Sequence, residues 1–350
     1  MDPLKIDTVK LSDAGDALVI IDQTLLPNEV RYLSLTAIED IWEAIRALRV
    51  RGAPAIGVAA AFGAYLAAYY APDAELEGRF LAACDYLATS RPTAVNLFWA
   101  LDRMRAAYGR VKALPPADIR AALRAGAQAV MDEDIEISRS IGRYGLSLLR
   151  PGMGILTHCN AGTLATAKYG TALAPVYAAI ERGLPGLRVY CDETRPLLQG
   201  ARLSAFEMVS AGVDTTLLCD NMASSLMKSG KVDIIFVGCD RVARNGDAAN
   251  KIGTSGVAIL AAHYGIPFYV CAPSSTIDGA NASGADIPIE FRPPEEVTEL
   301  WYEKRMAPEG VGVYNPAFDV TDAGLITGII TERGLVRAPF EEGFRALGLV

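Results

Sequence analysis

Reactive side chains stand at two points of this sequence where a short apolar run ends. Cys159 follows the run at residues 154–158, and Asp240 ends the run at residues 233–240. A thiol at the start of a helix ionises more readily than a free cysteine and can act as nucleophile or base. A carboxyl among apolar groups keeps its proton to higher pH and can donate it near neutrality. The two residues are therefore candidate catalytic groups, with a small buried thiol and a capping or ion-paired carboxylate as the alternatives.

Arginine precedes two predicted helices that carry proline in their first turn. The sequence RGAP occupies residues 51–54 before a helix of small residues, and RPT occupies residues 91–93 before the next helix. Proline suits the first turn of a helix, where free amide hydrogens at the positive end can bind an anion. A guanidinium beside such amides suits a phosphate. The pattern predicts a phosphate site, against two ordinary helix starts as the alternative, at Arg51, Gly52, Ala53 and Arg91.

Three further polar residues are predicted at the ends of strands. Gln199 lies in a dense polar run that enters a helix, and Asn250 and Lys251 close a polar loop at residues 245–251. Ligands of parallel sheets bind outside the carboxyl ends of the strands, so both segments are candidates for sugar or phosphate contacts. A solvated helix face and a surface turn are the alternatives.

The elements that carry these residues change character near Arg150-Pro151-Gly152. Residues 1–150 read as mainly helical after a short strand at 17–21, and residues 151–350 alternate apolar strands with helices. This alternation predicts an α/β fold, with a mainly helical N-terminal domain followed by a Rossmann-like, doubly wound parallel sheet. The predicted strands of that sheet are residues 154–158, 188–193, 214–220, 233–240 and 267–273, and its predicted helices are 161–182, 196–211, 222–229 and 254–264.

The sequence carries no motif typical of a dinucleotide site or a metal site. No G-x-G-x-x-G follows the first strand of the predicted sheet, so the topology does not argue for a dinucleotide. Three Cys-Asp pairs end at Asp192, Asp220 and Asp240, but ligands on separate strands have no readable spacing, and we predict no metal. His158 points to the opposite face of its strand from Cys159, which favours a structural role.

Composition narrows the class of partner. The chain has 350 residues, 51% of them hydrophobic, and a net charge of −8 without a block of Lys or Arg. An ordered protein is expected, and nucleic acid and anionic membranes are poor partners.

The uncharged segment 52–72 is rich in Ala and Gly, which predicts a buried helix and not a membrane span. Cysteines without a C-x-x-C pair and an N-terminus without a signal-peptide pattern predict a cytoplasmic location.

Seven motifs, taken in order, resemble the S-methyl-5-thioribose-1-phosphate isomerase family: RGAPAIG, SRPTAVN, LTHCNAGTLAT, DETRPLLQGARLSAFE, DNMA, GCDR and NGDAANKIGT. The resemblance covers nearly the whole chain. It implies that Cys159 and Asp240 are the catalytic thiol and acid. It implies an aldose–ketose isomerase of methionine salvage that binds a small sugar phosphate, uses no cofactor or metal and forms a homodimer. The substrate-binding residues it implies are Arg51, Gly52, Ala53, Arg91, Gln199, Asn250 and Lys251.

The expected reaction converts S-methyl-5-thioribose 1-phosphate to S-methyl-5-thioribulose 1-phosphate. The phosphate ester on C1 blocks opening to a free aldehyde, so an acid must protonate the ring oxygen while a hydrogen moves from C2 to C1. Asp240 suits the acid, whereas proton removal by Cys159 and direct hydride migration both stay open for C2. Two other functions also stay open: an isomerase of 5-deoxyribose 1-phosphate, and a non-catalytic sensing subunit of the initiation-factor 2B type. Two residues depart from the family pattern: Cys239 stands where the family usually has Ala, and Phe291 stands where Glu is common. These departures leave open which substituent the substrate carries at C5.

Overall fold

The computed structural model describes residues 6–92 and 94–350 of the chain. Their contacts divide them into two units. The N-terminal unit runs to Ser138 and also includes Gly162–Gly170, and the C-terminal unit comprises Arg139–Ala161 and Thr171–Val350. The domains predicted at residues 1–150 and 151–350 stay a prediction.

The N-terminal unit combines a small antiparallel sheet with helices. The sheet places β2 (Leu18–Ile21) between β1 (Val9–Leu11) and β3 (Tyr32–Leu35). The predicted strand at 17–21 corresponds to β2. The helices are α1 (Ile38–Arg46), α2 (Ala53–Tyr70), α3 (Leu76–Ala88), α4 (Val95–Val111) and α5 (Pro116–Leu146), of which α5 continues past Ser138.

Helix α2 forms the core of the N-terminal unit. Its own side chains are mostly small on all sides, so neighbouring helices approach it closely. For example, a Cβ on Gly57 would come within 2.9 Å of Asn96 O on α4. In the described part of the chain, α2 is the one helix long and apolar enough to cross a membrane, yet 72% of it is buried inside the structure. The prediction of a buried helix in this segment is confirmed.

The C-terminal unit contains a seven-stranded sheet and a four-stranded sheet. The larger sheet has the order β14-β13-β10-β7-β4-β5-β6 and is parallel apart from the β13–β14 pair, and the smaller has the order β11-β8-β9-β12. Their strands are β4 (Gly154–Thr157), β5 (Arg188–Asp192), β6 (Asp214–Leu218), β7 (Ile234–Val237), β8 (Arg241–Ala243), β9 (Ala248–Lys251), β10 (Phe268–Cys271), β11 (Ile277–Asp278), β12 (Phe318–Thr321), β13 (Gly328–Thr331) and β14 (Gly334–Val336).

Burial explains why the central strands of the larger sheet could be predicted. Strands β4, β7 and β10 are buried along their whole length, as expected for parallel strands covered on both faces. Continuous apolar runs such as Ile234–Val237 are the sequence pattern of such strands. The predicted parallel sheet and its five strands are confirmed.

The helices of the C-terminal unit agree only partly with prediction. The predicted helix 254–264 is α9, whereas the predicted helix 161–182 is wrong over its first half, because α6 begins at Ala174. The preceding segment Gly162–Gly170 packs in the N-terminal unit, where Thr163–Ala165 forms a short 3₁₀ turn. Tertiary contacts therefore outweigh local helix propensity there. The helices are α6 (Ala174–Glu181), α7 (Ala205–Ser210), α8 (Ala223–Lys228), α9 (Thr254–Tyr264), α10 (Glu295–Thr298) and α11 (Phe340–Ala346).

Candidate active site

The carboxyl ends of β7, β4 and β5 lie side by side, because these strands are parallel neighbours in that order. Cys159 follows β4 and Asp240 follows β7. The two following segments approach closely, since a Cβ on Gly238 would come within 2.7 Å of the Ala161 side chain. The structure therefore brings the Cys159 and Asp240 segments to one edge of the sheet.

Cys159 is half-buried and adopts a left-handed backbone conformation, with φ of 68°. Its N–H donates to Thr194 Oγ1 at 2.8 Å, and its carbonyl oxygen accepts from Ser204 Oγ at 2.8 Å. The predicted helix start at this thiol is wrong, since no α-helix begins before Ala174 in this described segment. A helix dipole therefore does not act on Cys159 as predicted.

Asp240 is exposed, so the predicted apolar surroundings of its carboxyl are wrong. The buried strand β7 ends at Val237, and Asp240 lies beyond it, where its N–H donates to Ala249 O at 2.9 Å. Cys239 occupies the more enclosed position, with its Sγ 3.2 Å from Thr276 Oγ1. Burial raises the pKa of the Cys239 thiol to about 12, so this thiol stays protonated.

Gln199 lies at the start of the helical turns that follow β5. Its side chain is only 7% exposed, and its Oε1 has no hydrogen-bond partner among the described residues. A buried polar atom without a partner is uncommon in folded proteins and can be satisfied by a water molecule or a ligand. The next residues, Gly200–Ser204, form a π-helical turn that runs into α7. Such turns are frequent at functional sites.

Asn250 and Lys251 belong to a strand and not to the predicted loop. They end β9, which pairs with β8 and β12 in the four-stranded sheet. Asn250 is buried, and its Nδ2 donates to Thr254 Oγ1 at 3.0 Å. Lys251 Nζ donates to Ala317 O at 2.9 Å and lies 4.5 Å from the centre of the Phe318 ring. The predicted loop at 245–251 is wrong for residues 248–251, because pairing with two neighbouring strands overrides a polar sequence.

His158 follows β4 and forms hydrogen bonds with residues at the ends of β5 and β9. Its Nε2 lies 2.8 Å from Ile252 O, which can only accept, so this nitrogen carries a hydrogen. Its Nδ1 lies 3.0 Å from Asp192 Oδ2. Burial opposes the charged ring, but the bonds to Asp192 and Ile252 outweigh it and raise the pKa of His158. The ligand atoms of His158, Asp192 and Asp220 lie within 4.8 Å of one another, and both ring nitrogens already take part in hydrogen bonds.

The N-terminal unit carries the predicted phosphate-binding residues. Helix α2 begins at Ala53, and Gly52 precedes it with φ of 91°. A Cβ on Gly52 would lie 2.3 Å from Ala165 O, so both the conformation and the space require glycine. Arg51 is half-buried beside this helix start.

Arg91 is also half-buried, but the helix after it starts later than predicted. Helix α4 begins at Val95, and the N–H of Ala94 donates to Arg91 O at 3.0 Å in the preceding turn. The third residue of the predicted motif, Thr93, lies outside the described residues.

Thr194 and Ser204 were not predicted as site residues, although their hydroxyls bind the backbone of Cys159. Both lie in the motif DETRPLLQGARLSAFE, from which only Gln199 was selected. A hydroxyl residue just past a strand end is a usable signal for Thr194. Nothing local marks Ser204, because its partner is 45 residues away in the sequence.

Comparison with known proteins decides the family. Residues 49–338 match the sequence profile of the Initiation factor 2 subunit family. A methylthioribose-1-phosphate isomerase from Symbiobacterium thermophilum is 66% identical over 348 residues, which are 99% of this chain and 97% of that protein. The chain belongs to the methylthioribose-1-phosphate isomerase family.

Two further proteins are similar to this chain over nearly its whole length. A 5-deoxyribose 1-phosphate isomerase from Petrotoga mobilis is 56% identical over 342 residues, covering 97% of this chain and 98% of that protein. The crystal structure of a 5-methylthioribose 1-phosphate isomerase from Pyrococcus horikoshii matches with a TM-score of 0.94 and 44% identity, covering 99% of this chain and 97% of that one. The predicted family, α/β fold class and isomerase activity are confirmed.

Proposed function

We propose that this chain converts S-methyl-5-thioribose 1-phosphate to S-methyl-5-thioribulose 1-phosphate. The relative with 66% identity is named for this substrate, which supports the choice. The structural observation that carries the proposal is the shared sheet edge at which Cys159 and Asp240 follow neighbouring strands. An acid suits the breaking of the C1–ring oxygen bond, and a thiol on the same edge can assist the transfer of the C2 hydrogen.

Asp240 is the general acid in this proposal. It protonates the ring oxygen as the bond from that oxygen to C1 breaks, so the oxygen leaves as the C4 hydroxyl. Its exposure in the structure leaves the carboxyl open to a bound sugar. The sugar itself then displaces water from the carboxyl, which strengthens their hydrogen bond.

Cys159 acts at C2 in this proposal. In the proton route, its sulfur takes the C2 proton while the C2–H electrons form a C1=C2 double bond; a proton then adds to C1, and the C2 hydroxyl loses its own to become the ketone. In the hydride route, the C2 hydrogen migrates to C1 with its electron pair, the C2 hydroxyl releases its proton to solvent to become the ketone, and Cys159 stabilises the transfer beside C2. Both routes move one hydrogen and leave the oxidation state of the whole molecule unchanged.

The proposed substrate-binding residues are charged and amide groups. Arg51, Arg91 and the backbone amides of Gly52 and Ala53 bind the phosphate, as positive groups at a helix start can. In the C-terminal unit, Gln199, Asn250 and Lys251 contact the sugar or its phosphate. The buried Oε1 of Gln199 supports this role, because a sugar hydroxyl would supply the donor it lacks among the described residues.

A second candidate substrate is 5-deoxyribose 1-phosphate, since a relative with 56% identity is named for it. The two substrates differ at C5, where a methylthio group replaces a hydrogen, and share the reacting atoms. The same Cys159 and Asp240 chemistry would therefore serve both. An apolar pocket distinguishes substrates that differ by one methylene by roughly 10–200-fold.

The test incubates purified protein with each sugar phosphate and follows the new C2 ketone by ¹³C NMR. We expect both to react, with kcat/KM about tenfold or more higher for the methylthio substrate. A preference for the deoxy substrate would favour the second function. Absence of a ketone from either would overturn the isomerase proposal, and a Cys159→Ala preparation controls for contaminating enzymes.

We also propose a homodimer and a cytoplasmic location, which follow from the resemblance and the composition. Light scattering at micromolar concentration tests the dimer, and a mass near 37.3 kDa would contradict it.

A further inference from the structure

Cys159 stands in a backbone conformation that its residue type disfavours. Five described residues other than glycine have a positive φ, and Cys159 and Thr194 are two of them, at 68° and 63°. In this conformation the Cβ of an L residue approaches its own backbone, so it persists only where surrounding contacts impose it. These two residues are also hydrogen-bonded to each other, which points to one connected device.

Two buried hydroxyls bind the polar backbone groups of Cys159. Thr194 Oγ1 accepts from Cys159 N and donates to Asp192 O at 3.1 Å. Ser204 Oγ donates to Cys159 O and accepts from Asn160 Nδ2 at 3.2 Å. Each hydroxyl has one hydrogen and each points it in one direction, so the four bonds are mutually consistent. Both side chains are fully buried, and water does not compete for these bonds.

One carboxylate holds Thr194, and another holds Asn160, the neighbour of Cys159 that also binds Ser204. Asp220 Oδ1 accepts from Thr194 N at 2.7 Å, and its Oδ2 accepts from Arg195 N at 2.7 Å. On the other side, Glu207 Oε1 accepts from Asn160 Nδ2 at 2.9 Å. Asp220 therefore fixes the loop that carries Thr194, and Glu207 ties the residue after Cys159 to α7.

We propose that Thr194 and Ser204 are positioning residues that hold Cys159 in its left-handed conformation and so aim its thiol at the C2 hydrogen. This inference rests on the proposed role of Cys159. If the two hydroxyls were removed, the backbone of Cys159 would relax toward extended conformations, and its Cα–Cβ bond would turn. Displacement of a catalytic group by about 1 Å can lower the rate by about 100-fold.

The test measures kcat and KM for Thr194→Val, which keeps the side-chain shape and removes the hydroxyl. We expect kcat to fall by about tenfold or more, with KM changed by less than about threefold. Thr194→Ser restores the hydroxyl and should restore most of kcat. Thr215→Val is the matched control, because Thr215 on β6 donates only locally to Val213 O, and its kcat should equal that of the wild type.

A second measurement separates positioning from a general loss of structure. Thr194→Val is made in the Cys159→Ala background, where it should lower the residual kcat by less than about twofold, since the thiol it positions is gone. Equal losses with and without the thiol would overturn the positioning role. Wild-type kcat in Thr194→Val, alongside a large loss in Cys159→Ala, would also overturn it while leaving the proposed function intact.

If circular dichroism shows that Thr194→Val is unfolded, Ser204→Ala provides the same test. We expect the same fall in kcat, with KM kept and no further loss in the Cys159→Ala background. Wild-type kcat in Ser204→Ala would overturn the inference. Full activity in Cys159→Ala would instead contradict the proposed catalytic role itself, so the two failures are distinguishable.

Discussion

Gly52 and Cys159 both have a positive φ, but the chain secures it in opposite ways. Gly52, at φ of 91°, has no side chain and packs directly on the backbone of Ala165. Cys159, at φ of 68°, keeps its Cβ and thiol and is held by hydrogen bonds from two buried hydroxyls. Where the backbone alone is needed, glycine adopts the conformation without steric penalty. Where a reactive side chain is needed at that position, surrounding residues must impose the conformation.

The two positions also differ in what holds the segment around them. Ala165 belongs to the segment Gly162–Gly170, which is held by Thr8, Gln23 and the carboxylate of Asp134. The bonds that hold Cys159 directly come from hydroxyls, which do not ionise at physiological pH. The comparison therefore predicts different responses to substitution and to pH.

Gly52→Ala should have the largest effect on stability. The Cβ adds the penalty of an alanine at positive φ to an overlap with Ala165 O at 2.3 Å. Together these should lower the free energy of unfolding by about 3 kcal/mol, measured by urea unfolding. Gly230→Ala is the control, because Gly230 has φ of 72° with nothing within 4 Å, and we expect about 1 kcal/mol there. Equal losses in the two variants would show that packing on Ala165 does not require glycine.

Arg51→Ala tests whether the segment around Gly52 binds the phosphate of the substrate. Loss of a charge-assisted contact costs about 1.5–3 kcal/mol, so product affinity should fall by roughly ten- to a hundredfold in calorimetric titration. Asp240→Asn should change this affinity less, because it does not touch the phosphate in the proposed arrangement. Arg110→Ala removes an exposed arginine of the same unit and should leave affinity unchanged. Wild-type affinity in Arg51→Ala would place the phosphate elsewhere.

Cys159→Gly and Cys159→Ala compare the strain at the other position. Both variants lack the thiol, but alanine keeps the Cβ that the left-handed conformation disfavours. We expect the glycine variant to be more stable by about 1 kcal/mol in urea unfolding. A more stable alanine variant would mean that the backbone of Cys159 is not strained.

Asp134→Asn should give the smallest effect and a pH-dependent one. Burial raises the pKa of the Asp134 carboxyl to about 7. Because the unfolded chain ionises near pH 4, the folded state loses stability as the pH rises from about 4 to 7. Asparagine keeps an oxygen for Ala167 N and cannot ionise, so Asp134→Asn should raise the melting temperature more at pH 8 than at pH 5. Solvent screens a half-buried carboxyl in part, which limits the size of the gain.

The control for Asp134→Asn is Asp132→Asn, an exposed carboxyl on the same helix. Its melting temperature should change little at either pH. A gain in Asp134→Asn that is equal at the two pH values would contradict the ionisation of Asp134 as its source.

The sequence predicted the parallel sheet because its central strands β4, β7 and β10 are buried along their whole length. Continuous apolar runs such as Ile234–Val237 leave few alternatives, and their carboxyl ends then locate Cys159 and Asp240. Helix α3 and the strands of the smaller sheet were not predicted. Those strands are short and carry polar residues such as Asn250, so their pairing depends on partners distant in the sequence.

Three features of the site depend on tertiary contacts that local patterns do not contain. The helix predicted from residue 161 fails because its first residues pack in the N-terminal unit. Asp240 is exposed because the chain leaves the buried strand at Val237. The hydroxyls that hold Cys159 lie 35 and 45 residues away from it. Residue types at strand ends thus predicted which groups could react, but not how they are held.

The most direct test of the catalytic roles of Cys159 and Asp240 compares kcat on S-methyl-5-thioribose 1-phosphate. The enzymes compared are the wild type, Cys159→Ala, Asp240→Asn and the double variant. Circular dichroism first confirms that each variant folds. We expect each single substitution to lower kcat by about 100-fold or more, the scale of general acid–base catalysis. Because both groups act on one transition state, the double variant should lose much less than the product of the two losses. A folded single variant that keeps more than roughly a tenth of wild-type kcat would contradict the catalytic role of the substituted residue.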